Sequence, residues 1–105
     1  MITVEMNDYS VFITGHAGLA EYGSDILCAG VSTLAYTLAG FVQRNAGSMQ
    51  KKPSIVLESG KASIKCTPKP EFICECSAVY NAISAMFSEL SKKYPKNLKF
   101  LRGRG

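Results

Sequence analysis

The sequence predicts an α+β domain in which two helices pack on a mixed or antiparallel sheet, in the order ββαββαβ. Three observations predict it. Paired runs with strand character open each half, a turn signal joins each pair, and a long segment with helical apolar spacing follows each pair. The 105 residues, 47% of them apolar, suffice for one domain spanning 1–105 with a modest core. Association with a second copy would be a natural way to bury more surface.

In the first segment Ile2, Val4 and Met6 point one way and Thr3 and Glu5 the other, the alternation of a half-buried strand. Asn7-Asp8 supplies turn chemistry, and Val11 to Thr14 forms a second β-branched and aromatic run, so the two read as a hairpin that Gly15 ends. Gly15 to Gly23 holds three glycines and reads as a mobile loop over 15–24. Ser24 or Asp25 then caps a helix by accepting bonds from free first-turn amides. Ile26, Leu27, Val31, Leu34, Leu38, Phe41 and Val42 follow at helical spacing, and Gly47 is the expected stop.

Met49 to Pro53 is a basic connector. Ser54 to Glu58 and Ala62 to Thr67 form a second hairpin around Ser59-Gly60-Lys61. Pro68 and Pro70 break the strand, and Pro70 opens a helix at its first turn. Its apolar stripe is Phe72, Ile73, Cys76, Val79, Tyr80, Ile83, Met86, Phe87 and Leu90, all expected in the core. Lys92-Lys93 suits the dipole at its end. Leu98 to Leu101 is a short last strand before a flexible tail over 102–105.

Ile26 to Gln43 carries no charge and approaches the length of a membrane span. It contains Gly30, Ser32, Thr33, Tyr36, Thr37 and Gly40 and is bounded by Asp25 and Arg44. It therefore reads as a buried helix at a domain centre or dimer seam, with no membrane partner. Met1 to Met6 has neither the basic segment nor the long apolar stretch of a secretory leader. The four cysteines sit in apolar stretches, where the reduced residue behaves as a small hydrophobe. The expected compartment is a reducing cytoplasm, without disulfides.

The net charge of +4 permits an acidic or nucleic-acid partner without requiring one. Lys51-Lys52, Lys92-Lys93, Lys96, Lys99, Arg102 and Arg104 are either a solvated face or a means of weak ribosome or RNA association through phosphates. No interleaved aromatics of the kind found in single-strand binders accompany them. Cys66, Cys74 and Cys76 lack the pair spacing of zinc sites, since Cys74-x-Cys76 on a helix points its thiols apart. No metal or cofactor is expected.

Chemistry concentrates elsewhere. The only histidine, His16, lies in the glycine-rich loop, and Cys28 lies in the opening turn of the helix that follows, as its third or fourth residue. A sulfur there sits near unpaired amides and the positive end of the helix dipole, which favours the thiolate. An imidazole brought to it would take the thiol proton and return it to a leaving amine, while the amides stabilise an oxyanion. The alternative is a surface histidine and a core cysteine; spacing alone does not decide between them.

The continuous stretch Gly15-His16-Ala17-Gly18-Leu19-Ala20-Glu21-Tyr22-Gly23-Ser24-Asp25-Ile26-Leu27-Cys28-Ala29-Gly30-Val31-Ser32 resembles the signature of the ribosomal-processing cysteine protease family, Prp. That signature is a Gly-His loop followed by Asp-Ile-x-Cys-Ala at a helix start. The resemblance implies that His16 and Cys28 are the catalytic pair and that Asp25 and Ser32 support them. It also implies that Gly15, Ala17, Gly18 and Gly23 belong to a mobile, substrate-binding loop. Ser32 has an equally good reading as a local backbone-bonding residue. Leu19 stands where the family commonly has an aromatic, and Gly30 where it commonly has alanine.

The resemblance further implies a cytoplasmic homodimer that removes an N-terminal extension from large-subunit ribosomal protein twenty-seven, with the cut next to aromatic residues. The alternative function is a non-catalytic module that binds ribosomal components or RNA.

Overall fold

The computed structural model describes residues 1–15 and 24–103, with the backbone alone for Ser24 and Asp25. Its elements are β1 (Ile2–Asn7), β2 (Ser10–Thr14), α1 (Ser24–Arg44), β3 (Ser54–Glu58), β4 (Lys61–Lys65), α2 (Ile73–Lys93) and β5 (Leu98–Arg102). The order ββαββαβ is the one the sequence predicts. The strands form one mixed sheet in the order β3-β4-β2-β1-β5, with β1 and β5 parallel and every other pair antiparallel.

Alternation along the strands sends one set of side chains to the helices. Ile2, Val4, Met6, Val11, Ile13, Ile64 and Leu98 are buried with Leu27, Val31, Leu38 and Val42 of α1 and Cys76, Tyr80, Ile83 and Phe87 of α2 in one core. The helices touch each other, α1 leaning on β4 and α2 on β5. Burying a side chain such as Leu38 or Phe87 contributes about 1.5–3 kcal/mol. The other face of the sheet shows Lys61, Lys65, Lys99, Glu5 and Phe12 to solvent.

Several details differ from the sequence reading. Ser24 is already helical, so Cys28 is the fifth residue of α1 rather than its third or fourth. α1 ends at Arg44, and Gly47 is not its stop. Asn45 closes the helix instead, its backbone N–H donating to the Phe41 carbonyl at 3.1 Å and its Nδ2 at 2.8 Å. Gly47 sits in a short 3-10 turn, Ala46–Ser48, that leads away. Pro70 opens such a turn too, Pro70–Phe72, and α2 begins after it.

Ile26, Ile73 and Met86, expected in the core, are exposed. The core-facing arc of each helix is narrower than its run of apolar residues. By length and composition α1 would also cross a membrane, but in the fold about a third of that stretch is buried. Strand β4 spans Lys61–Lys65 rather than Ala62 to Thr67. Arg102, assigned to a loose tail, ends β5 and pairs with Asp8 at 3.6 Å, while the Gly103 N–H reaches the Met6 carbonyl at 2.7 Å.

Candidate active site

Cys28 is exposed, although the helix around it is apolar. Leu27 and Val31 on either side of it face the core, and the 3.6-residue period turns Cys28 out between them. Four and eight residues on, Ser32 and Tyr36 share its face. All three line a cavity of about 450 Å³. Its opposite wall is the β3–β4 turn, Leu57 to Ala62, and Gly15 closes it from the end of β2.

The turn is held in place by backbone geometry. Gly60 adopts φ 75° as the third residue of the Glu58–Lys61 turn, a conformation glycine reaches without strain. Its carbonyl accepts the Gly15 N–H at 3.0 Å, which ties the hairpin tip to the end of β2. Gly15 has φ 95°, and a Cβ there would collide with the Met1 carbonyl oxygen. Glycine at 15 is therefore a packing requirement and a conformational one, independent of any loop motion.

The position of Cys28 as fifth helical residue changes the oxyanion argument. Its own amide belongs to the helical ladder, so free donors would come from the turn before it. Because Cβ atoms tilt toward a helix N-terminus, the thiol still leans over that turn. The structure thus brings Cys28, Ser32 and Gly15 to one cavity. His16, Ala17, Gly18 and Gly23 lie outside the described residues, as does the side chain of Asp25.

Sequence reasoning missed two parts of the cavity. Tyr36 was legible in principle, lying on the helical face of Cys28; it is 64% exposed at the rim. Leu57, 38% exposed on the facing wall, was not, because nothing local signals which loop closes over a helix start. Together they leave two large apolar side chains open to solvent beside the thiol, an arrangement suited to an apolar ligand group.

The other thiols are differently placed. Cys74 is exposed at the start of α2, while Cys76 is buried, as their spacing on a helix requires. The Cys66 and Cys76 sulfurs lie 3.7 Å apart, and Cys66 Sγ is 3.5 Å from the Tyr80 hydroxyl. Burial first, and then the neighbouring Cys66, push the Cys76 thiol up to about 12.

Comparison with known proteins bears on the whole chain. The family model described as cysteine protease Prp matches residues 1–99. Among curated proteins nothing matches. The crystal structure of an essential ribosomal processing protease Prp from S. aureus, in complex with a substrate peptide, is similar at TM-score 0.73 and 22% identity. The match covers 98% of this chain and 100% of that one. The same S. aureus protease with a covalently linked product peptide aligns at TM-score 0.72 and 23% identity, with the same coverage. SMU.848 from Streptococcus mutans aligns at TM-score 0.70 and 23% identity, over 99% of this chain and 93% of that one.

Proposed function

Because this chain belongs to the cysteine protease Prp family, we propose that it is an endopeptidase acting through a Cys28–His16 pair. Its substrate in this reading is the N-terminal extension of large-subunit ribosomal protein twenty-seven. The observation that carries the reading is the exposed Cys28 thiol in a cavity open enough for a peptide. Gly15, the sequence neighbour of the chain's one histidine, His16, lines the same cavity.

In this mechanism Cys28 sulfur, its proton passed to His16, attacks the scissile carbonyl. The tetrahedral oxyanion collapses to a thioester as His16 protonates the departing amine. Water, deprotonated by His16, then hydrolyses the thioester, releasing the carboxylate and restoring the thiol. Asp25 and Ser32 are supporting residues in this reading, Ser32 from the cavity wall. Ala17, Gly18 and Gly23 act with Gly15 in admitting and holding substrate. The test is incubation of the purified protein with its host's ribosomal protein, read by mass spectrometry. Wild type should shorten the N-terminus, and Cys28→Ala and His16→Ala should each leave it intact; continued cleavage by Cys28→Ala would refute the mechanism.

The protein acts in this reading as a cytoplasmic homodimer. The support is α1, uncharged from Ile26 to Gln43 and largely uncovered. The Thr33 and Thr37 hydroxyls on its outer side donate to the Ala29 and Thr33 carbonyls, each at 2.7 Å, and so satisfy donors that an apolar seam would otherwise strand. Sedimentation should give a dimer that Thr33→Arg dissociates, and cell fractionation should place the protein with soluble, ribosome-containing material. Lys61, Lys65 and Lys99 on the open face of the sheet support weak contact with ribosomal RNA. Such contact would weaken steeply with salt and be indifferent to Cys28.

A further inference from the structure

The two edges of the sheet are not alike. β5 carries Lys99 and Arg102, charges of the kind that discourage pairing with another strand. β3, Ser-Ile-Val-Leu-Glu, carries one charge at its end and no proline. Among the described residues no strand pairs with its outer side.

The direction of its free backbone groups follows from the neighbouring ladders. The Gly60 carbonyl accepts from Gly15, and the Cys66 N–H donates to Tyr9, so even-numbered residues of β4 bond toward β2. Lys61, Ser63 and Lys65 therefore bond toward β3, where their partners are Glu58, Val56 and Ser54. The N–H and C=O of Ile55 and Leu57 are left pointing outward. Leu57 and Glu58 line the Cys28 cavity, so this edge runs straight into it. The facing wall of α1 from Cys28 to Tyr36 rises about 12 Å. That is the span of about four residues of extended chain.

We propose that substrate binds as an added strand on β3, an extended peptide whose backbone pairs with Ile55 and Leu57 and whose scissile bond is thereby carried to Cys28. This rests on the peptidase reading and specifies how its substrate is held. Backbone pairing recognises extended conformation, and the pockets beside Tyr36 and Leu57 take alternate side chains. Only a segment able to leave its own fold can bind in this way, which suits a loose N-terminal extension and excludes folded surfaces.

The experiment is a backbone scan. A synthetic peptide copying the host protein's N-terminal extension is made with one N-methyl group at each position in turn. Strand pairing predicts that kcat/KM falls about tenfold or more at alternate positions, and far less at those between. A series without that alternation overturns the proposal while leaving the peptidase reading intact. If the unmethylated peptide is not cleaved, the peptidase reading fails; binding of the same series to Cys28→Ala, read by fluorescence anisotropy, then tests the pairing separately by the same alternation. Ile55→Pro removes one outward donor and should raise KM about tenfold with kcat little changed. Should that variant not fold, the peptide series stands alone. Dimer formation through β3 in place of peptide pairing would appear as a dimer that survives Thr33→Arg and that the peptide cannot dissociate, and would overturn the proposal.

Discussion

Cys28 and the Cys66–Cys76 pair put the same side chain in opposite surroundings. Cys28 stands on the solvent side of α1, beside an open cavity. Cys66 and Cys76 lie between β4 and α2, against Tyr80, whose ring meets Tyr9 edge-on at 6.2 Å. Both Cys76 and Tyr80 are raised in pKa, chiefly by burial. The buried pair acts as packing, with the two sulfurs filling a tight space. Cys28 contributes little to packing and is free for chemistry. A cysteine's role here follows from whether water and substrate reach it, and only secondarily from the element that carries it.

The largest effect that would break this comparison is on activity. Cys28→Ala should lower cleavage by about 10⁴-fold or more. The same variant should stay within about 0.5 kcal/mol of wild-type stability, because little around the thiol is packed. A large loss in urea denaturation would mean that Cys28 is structural after all. The reverse pattern belongs to Tyr80. Tyr80→Ala empties a fully buried site and should cost about 3–5 kcal/mol, read from the denaturation midpoint.

Alkaline pH separates the two regions by a different route. The folded Cys76 thiol titrates near 12 rather than at its ordinary 9.0. Its raised pKa means the native state holds the proton more tightly than the unfolded chain. That stability is fully present below about pH 9 and is lost as pH climbs toward 12, with a slope approaching 1.4 kcal/mol per pH unit. Tyr80, raised from 10.0, steepens the loss above that value. Denaturation at pH 8, 10 and 11 should show the decline, and Cys76→Ala should delay its onset to the range of Tyr80. An unchanged onset would remove the thiol from the account.

Much of this was legible in the sequence, and the boundary of legibility is physical. Period-two alternation in Ile2, Val4 and Met6 and period-three-to-four spacing from Leu27 to Val42 place strands and helices, because each must bury one face. The same spacing locates Tyr80 and Phe87 in the core. It overreached at Ile26, Ile73 and Met86, since the arc of a helix that faces the core is narrower than the run of apolar residues along it. Element ends were missed where side chains decide them, as at Asn45. Cys28 and Ser32 could be placed on one face from sequence alone. That Leu57 and Gly60 stand opposite them could not, because it depends on β4 crossing to pair with β2. The contact between Cys66 and Cys76 is non-local in the same way.

The finest distinction lies within one helix, between residues two positions apart. Cys74 and Cys76 occupy the first turn of α2, and period alone turns the first to water and the second inward. Replacing sulfur with oxygen keeps the shape close but adds a stronger demand for hydrogen bonds. At position 76 that demand arises in the buried core beside the Cys66 sulfur, away from water, so Cys76→Ser should cost about 1–3 kcal/mol. At position 74 water meets it, so Cys74→Ser should change stability by less than about 0.5 kcal/mol. Chemical denaturation of the two variants at neutral pH measures the difference directly. Equal costs would show that helix propensity, shared by both sites, dominates over surroundings, and the contrast between buried and exposed thiols would then lose its energetic basis.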